Sequence, residues 1–201
     1  MTQVVLASHN AHKLEELRRI LTPLVPGIEL IGYDGPEPVE NGVTFEQNAL
    51  LKARAAAVHT GLPAIADDSG ISVNVLGGCP GIFSARWGGP ERSDTGNVDL
   101  LLWQLSDLAD EHRSAAFMCA AALALPPDAD GQGDEVVLLE AWNGSVLRAP
   151  AGEGGFGYDP VFLPEGEARS AAQMSAEEKD AVSHRRRAFT ALSKELLRRL
   201  P

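Results

Sequence analysis

Thr44-Phe45-Glu46-Gln47 opens an alanine-rich run that ends at Gly61, with Pro63 just beyond. Threonine at a helix cap with glutamine three residues later fits a capping box, and glycine followed by proline stops a helix at its other end. The run therefore reads as a helix with both ends fixed by local chemistry. Strand-like runs bracket it: Ile28 to Tyr33 on one side, Ala64 to Asp67 and Ile71 to Val75 on the other, the last two separated by Asp68-Ser69-Gly70, which has turn chemistry. At the N-terminus, Gln3 to Ala7 is a short β-branched apolar run. Ser8-His9-Asn10 follows, then a helical pattern with Leu14, Leu17, Ile20 and Leu21 on one face that Pro23 and Pro26 end. Strand, helix and strand in this succession are the parts of parallel crossovers.

The second half changes character. Gly77 to Gly89 is glycine-rich and irregular, and Asp94 to Leu105 has a helical pattern. Ala115 to Leu125 and Glu135 to Val146 read as two strands of an antiparallel hairpin around the polar loop Pro126 to Asp134. Arg148 to Pro160 is a second glycine-rich loop, Val161 to Leu163 a short strand, and Ser175 to Val182 a short helix. His184 to Leu200 is a final helix with Phe189, Leu192, Leu196 and Leu200 on one stripe. Crossovers first and a hairpin later predict an α/β fold with a mixed sheet. A length of 201 residues at 44% hydrophobic content supports one well-buried domain over residues 1–201.

Cys79 and Cys119 lie far apart, without CxxC spacing or a histidine pair, and read as reduced core thiols rather than a zinc site. No stretch approaches the ~20 apolar residues that span a bilayer, and the first ten residues lack signal-peptide organisation, so a cytoplasmic location is expected and a membrane is not. A net charge of −11 argues against a nucleic-acid surface, so an anionic ligand must be held by a few focused cations. Of 17 Lys and Arg residues only four are lysines, Lys13, Lys52, Lys179 and Lys194.

Four segments could carry chemistry. Ser8-His9-Asn10-Ala11-His12-Lys13 is a strand-to-helix junction whose free N–H groups suit an anion. Asn10 is a good cap. Lys13 falls in the first helical turn, where the macrodipole disfavours a cation unless an anion sits nearby; an ordinary capped helix with a solvated lysine is the competing reading. Ser183-His184-Arg185-Arg186-Arg187 repeats the anomaly at the last helix, where either a bound anion or an internal carboxylate could answer it. Asp67-Asp68-Ser69-Gly70 places two carboxylates at a strand end. Adjacent strand residues face opposite ways, so the two aspartates should hold unequal roles, one of them toward Mg²⁺ and a phosphate ligand, with Glu37 or Glu40 as a further carboxylate. Gly152 to Gly157 matches GxGxxG, but no helix follows, so it is not a dinucleotide fingerprint. A loop presenting Phe156, Tyr158 and Asp159 suits a flat ligand, the alternative being a tight turn with Phe156 in the core. The phosphate loop GxxxxGK[ST], HExxH and GxSxG are all absent.

SHNAHK (8 to 13), TFEQNALLKA (44 to 53), ADDSG (66 to 70), GGCPGIFSARWGG (77 to 89), GGFGYDP (154 to 160) and KDAVSHR (179 to 185) together resemble the non-canonical purine NTP pyrophosphatases, also called inosine triphosphate pyrophosphatases. The resemblance implies a long curved mixed β-sheet flanked by helices in two lobes with a central cleft, and a homodimer. It also implies Mg²⁺-dependent hydrolysis of ITP, dITP or XTP to the nucleoside monophosphate and pyrophosphate. Carried over by residue, Ser8, His9, Asn10, Ala11, His12 and Lys13 would hold the triphosphate, with Lys52 and Lys179 adding positive charge. Asp68 would be the proton acceptor and a metal ligand, Glu40 a second metal ligand, and Ser69 a substrate contact. Phe156, Gly157, Tyr158 and Asp159 would pack around the base, with His184 and Arg185 at its 6-oxo edge. Asn41 stands where threonine is expected, and Cys79 replaces a small residue. Roles for Asp67 beyond support, and for Arg86, do not follow. Competing readings are a pyrophosphatase for other modified nucleotides and a nucleotide sensor without turnover.

Overall fold

A computed structural model describes residues 1–128, 131 and 133–200, so part of the polar loop Pro126 to Asp134 lies outside the described residues. The helix anchored by Thr44, α2 (Phe45–Thr60), starts and stops where its local chemistry directs. Thr44 is extended at φ −135° and accepts the Gln47 N–H, while Gly61 at φ 66° returns its own N–H to the Ala57 carbonyl. Gln47 differs from the expected box in one respect: its side chain accepts the N–H of Val43, one residue before the cap, at 2.8 Å. A donor that the helix cannot satisfy is still satisfied. Ala49, Ala53, Ala56 and Ala57 are buried together with Phe45 and Asn48, and the small alanine side chains let the helix lie close on the first strand.

That strand, β1 (Thr2–Leu6), is parallel to β2 (Ile28–Ile31) with Thr2 opposite Ile28, and parallel to β3 (Ala64–Val73) with Val5 opposite Ala64. Helix α1 (Ala11–Leu21) and α2 are the crossover helices. Then come α3 (Asp94–Gln104), β4 (Ser114–Ala124), β5 (Glu135–Val146), β6 (Phe162–Pro164), α4 (Ala176–Val182) and α5 (His184–Arg199). The sheet runs β2-β1-β3-β4-β5-β6, and β5 and β6 are antiparallel with Val146 opposite Phe162. The fold is therefore α/β with a mixed sheet, as the alternation of crossovers and hairpin predicts.

The chain forms two compact units, the first made of residues 1–68, 119–140 and 185–201, the second of 69–118 and 141–184. In the first, Val4, Leu6 and Ile65 pack with Leu17, Ile20 and Leu21 of α1 and with Phe189, Leu192 and Leu196 of α5. Both helices thus bury the stripes their periodicity marks. In the second, Ile71, Val73, Phe117, Trp142, Val146, Tyr158, Val161 and Phe162 pack with Val98, Leu101 and Leu105 of α3. Arg113 is buried in this unit, its guanidinium donating to the carbonyls of Val146, Leu105 and Leu147. Three backbone acceptors there are satisfied without a carboxylate.

The turn expected at Asp68-Ser69-Gly70 does not form: β3 is continuous from Ala64 to Val73. It pairs with β1 at Ala64 and Ile65 and neighbours β4, and the extended course of this strand outweighs the local preference of Asp, Ser and Gly for a turn. Gly70 is needed for a different reason. A Cβ there would stand 2.4 Å from Ser84 Oγ and 2.5 Å from the Gly81 carbonyl oxygen, because the segment Gly81–Arg86 crosses directly over the strand and Ser84 Oγ accepts the Ile71 N–H. Gly70→Ala is expected to lower the unfolding free energy by about 1–3 kcal/mol through overpacking, read from the urea midpoint. An unchanged midpoint would mean that the crossing segment yields. Cys119 is buried, as expected of a core thiol, whereas Cys79 is only half-buried.

Candidate active site

Helix α1 begins with Asn10 Oδ1 accepting the Lys13 N–H at 3.3 Å and Ser8 Oγ accepting the Asn10 N–H at 3.2 Å. His9 turns to the following strand's end: its Nε2 donates to the Gly35 carbonyl at 2.9 Å, Nδ1 lies 3.3 Å from Glu37, and its ring stacks on Tyr33. The side chains of Ala11 and His12 lie outside the described residues. Lys13, whose place in the first helical turn demands a nearby anion, has one in Asp67, with Nζ at 2.9 and 3.1 Å from its two carboxylate oxygens.

The two aspartates of β3 diverge as strand geometry requires. Asp67 points to Lys13 and to Arg185, whose Nη2 is 3.4 Å away. Asp68 points to α2, accepting from Lys52 Nζ at 3.0 Å and Asn48 Nδ2 at 3.3 Å. Lys52 also lies 2.8 Å from Glu40, so two carboxylates converge on one ammonium. Burial pushes the Asp68 carboxyl up, Lys52 pulls it down, and Glu40 and Asp67 add to the upward push, leaving it above the usual carboxylate range. Burial pulls the Lys52 ammonium down, but Asp68, Asp67 and Glu40 hold it above its ordinary value, so it stays charged at neutral pH. Among the described residues no three His, Cys, Asp or Glu side chains form a metal cage. Glu40 and Asp68 instead offer the two-carboxylate oxygen set of an ion that keeps waters and shares phosphate oxygens.

In the second unit the loop before β6 is held from several sides. Asp159 accepts the Phe156 N–H at 2.9 Å and is paired with Lys179; Asp94, at the start of α3, accepts the Gly157 N–H at 2.9 Å. Tyr158 is buried and donates to the Ser84 carbonyl at 2.9 Å. Gly155, at φ 73°, admits no side chain, since a Cβ would collide with the Asp159 carboxylate. These restraints leave Phe156 57% exposed, so its ring is presented to solvent and is not a core residue. Lys179 Nζ lies 5.2 Å over that ring, which ties this lysine to the aromatic loop. His184 is buried, stacked on Phe117 at 4.9 Å between centroids and near Trp142 at 6.4 Å. Ser69 lies half-buried on β3. Arg86 has its guanidinium 5.1 Å over the Phe83 ring.

Within the arginine run, Arg185 pairs with internal carboxylates. Arg185 is buried and holds Glu16 through Nη1 at 2.9 and 3.1 Å in addition to Asp67. Glu16 and Asn48 were both open to sequence reasoning that did not use them. Glu16 stands three residues from Lys13, and Asn48 four from Lys52, each pair on one helical face. Asp94 and Ser84 carry no local sign of their part in the aromatic loop.

The Ham1 family model matches residues 4–195, and the chain belongs to that family. Among its relatives, a dITP/XTP pyrophosphatase of Streptomyces coelicolor is 55% identical over 196 residues, covering 96% of each chain. One of Leifsonia xyli is 52% identical, covering 96% of this chain and 94% of the relative. Similar solved structures include a nucleoside-triphosphatase, dITP/XTP pyrophosphatase, from Mycobacterium abscessus, with TM-score 0.77, 49% identity, and 95% and 98% coverage. A HAM1 protein from Coxiella burnetii has TM-score 0.88 and 38% identity, with 98% and 100% coverage.

Proposed function

We propose that this chain hydrolyses ITP, dITP and XTP to the nucleoside monophosphate and pyrophosphate in a Mg²⁺-dependent reaction, clearing deaminated purines from the nucleotide pool. The observation that carries the reading is Asp68, a half-buried carboxylate placed with Glu40 beside the charged Lys52, in a chain whose relatives are named dITP/XTP pyrophosphatases. Asp68 accepts a proton from the water that attacks the α-phosphorus, and the bond to the β-phosphate breaks with pyrophosphate leaving. Lys13 and Lys52 offset the charge of the phosphate chain. Glu40 and Asp68 fit Mg²⁺, which when bound supplies further neutralisation of the phosphate oxygens. In the second unit, Phe156 offers an exposed ring for the base, with Asp159 and Lys179 fixing the loop that carries it. His184 is the family match for the 6-oxo edge. A donor aimed at that oxygen leaves the 6-amino group of adenine mispaired. A homodimer in the cytoplasm is part of the same proposal, from the family resemblance.

A nucleotide panel with pyrophosphate and orthophosphate measured separately tests it. ITP and XTP are expected to release one pyrophosphate per turnover, with kcat/KM about 10²-fold or more above that for ATP. Equal rates on ATP and ITP, or orthophosphate as the first product, would overturn the reading.

A further inference from the structure

Lys13, Asp67, Arg185 and Glu16 form a chain of alternating charge that begins and ends on α1. Lys13 Nζ reaches both oxygens of Asp67, Arg185 Nη2 reaches one of the same oxygens, and Arg185 Nη1 grips both oxygens of Glu16. Lys13 and Glu16 lie one helical turn apart, so the chain closes on a single rigid element. Its middle is enclosed: the side chains of Asp67 and Arg185 are 1% and 3% exposed, whereas that of Lys13 is 23% exposed. The Lys13 side chain therefore keeps partial access to solvent while Asp67 fixes its ammonium. It has three N–H donors, and a single carboxylate leaves at least one for an incoming oxygen. A lysine ordinarily loses much side-chain freedom when it binds an anion; here that freedom is removed beforehand.

We propose that Asp67 is a positioning residue for the triphosphate: it fixes the Lys13 ammonium at the start of α1, and Arg185, held in turn by Glu16, fixes Asp67. The inference rests on the reading that Lys13 meets the triphosphate. It gives the buried aspartate a task in substrate binding, distinct from that of Asp68, and it predicts coupling that a purely structural ion pair lacks.

A double-mutant cycle on KM for ITP tests it, with Asp67→Asn, Lys13→Met and the combined variant, and with urea unfolding measured alongside. Each single change is expected to raise KM about tenfold with kcat changed less, and the double variant to add no more than about threefold to Lys13→Met. Losses that multiply to about a hundredfold, or an Asp67→Asn variant with a lowered urea midpoint and unchanged KM, would overturn the positioning role while leaving that of Lys13 intact. An unchanged KM for Lys13→Met would instead remove the triphosphate role of Lys13 and the inference with it. If Asp67→Asn does not fold, Glu16→Gln keeps the Asp67 charge and loosens only its far support. It is expected to raise KM about threefold in the wild-type background and not in Lys13→Met, and equal effects in both backgrounds overturn the proposal.

Discussion

Asp68→Asn is expected to lower kcat for ITP by about 10³-fold while KM changes by less than about threefold. Asparagine keeps the shape of the side chain, and its amide oxygen can still accept from Lys52, which now holds one Asp68 oxygen, although the contact of Asn48 with the other oxygen is lost. What it cannot do is take a proton from water. The loss should therefore fall on the chemical step and not on binding. Steady-state kinetics with pyrophosphate as the measured product, together with calorimetric titration of the variant with ITP, separate the two. Unchanged turnover would remove Asp68 from the role of base, and loss of binding alone would make it a ligand for the substrate only.

Arg185→Met should act on stability. It strips one partner from a buried charge network and leaves Asp67 and Glu16 without their shared cation. Breaking a buried pair from one side costs about 3–5 kcal/mol. The effect should depend on pH in a definite direction. Burial pushes the Asp67 carboxyl up, but Lys13, Arg185 and Lys52 more than reverse this and hold it well below the usual carboxylate range. A carboxylate with a depressed pKa contributes stability that is fully present above its unfolded value of about 3.9 and is lost as pH falls through the folded value. The wild type should therefore lose this contribution only in strong acid. In the variant one of the depressing cations is gone while the burial remains, so acid unfolding should begin at a higher pH. Guanidinium unfolding at neutral pH and an acid titration followed by circular dichroism check both parts. A change below about 1 kcal/mol at neutral pH would mean that the site relaxes or admits water around the two acids.

Much of the frame was legible because it is local. The α2 caps, the apolar stripes of α1 and α5, and the opposite facing of Asp67 and Asp68 all follow from periodicity and end chemistry within a few residues. The partners were not legible in the same way. Asp67 meets a lysine 54 positions away and an arginine 118 positions away, and no periodic signal in a single sequence links such residues. Sequence reasoning registered that Lys13 and the arginine run each needed an anion; only the fold shows that one aspartate answers both. The resemblance places Lys179 among the cations near the triphosphate; its pairing with Asp159 and its place over the Phe156 ring are contacts that only the fold shows. Arg113 gave no sign at all, because its partners are main-chain carbonyls that every residue carries.

The crossing of the 81–86 segment over Gly70 bears on how this motif would look in a saturation mutagenesis experiment. Almost any replacement of Gly70 would place atoms where Ser84 and the Gly81 carbonyl already stand, so a screen scored by growth or total activity would mark the position as intolerant as Asp68. The two positions would be indistinguishable by that score although only one of them is proposed to handle a proton. Separating them requires the amount of folded protein to be measured for each variant, since the glycine would fail by abundance and the aspartate by turnover.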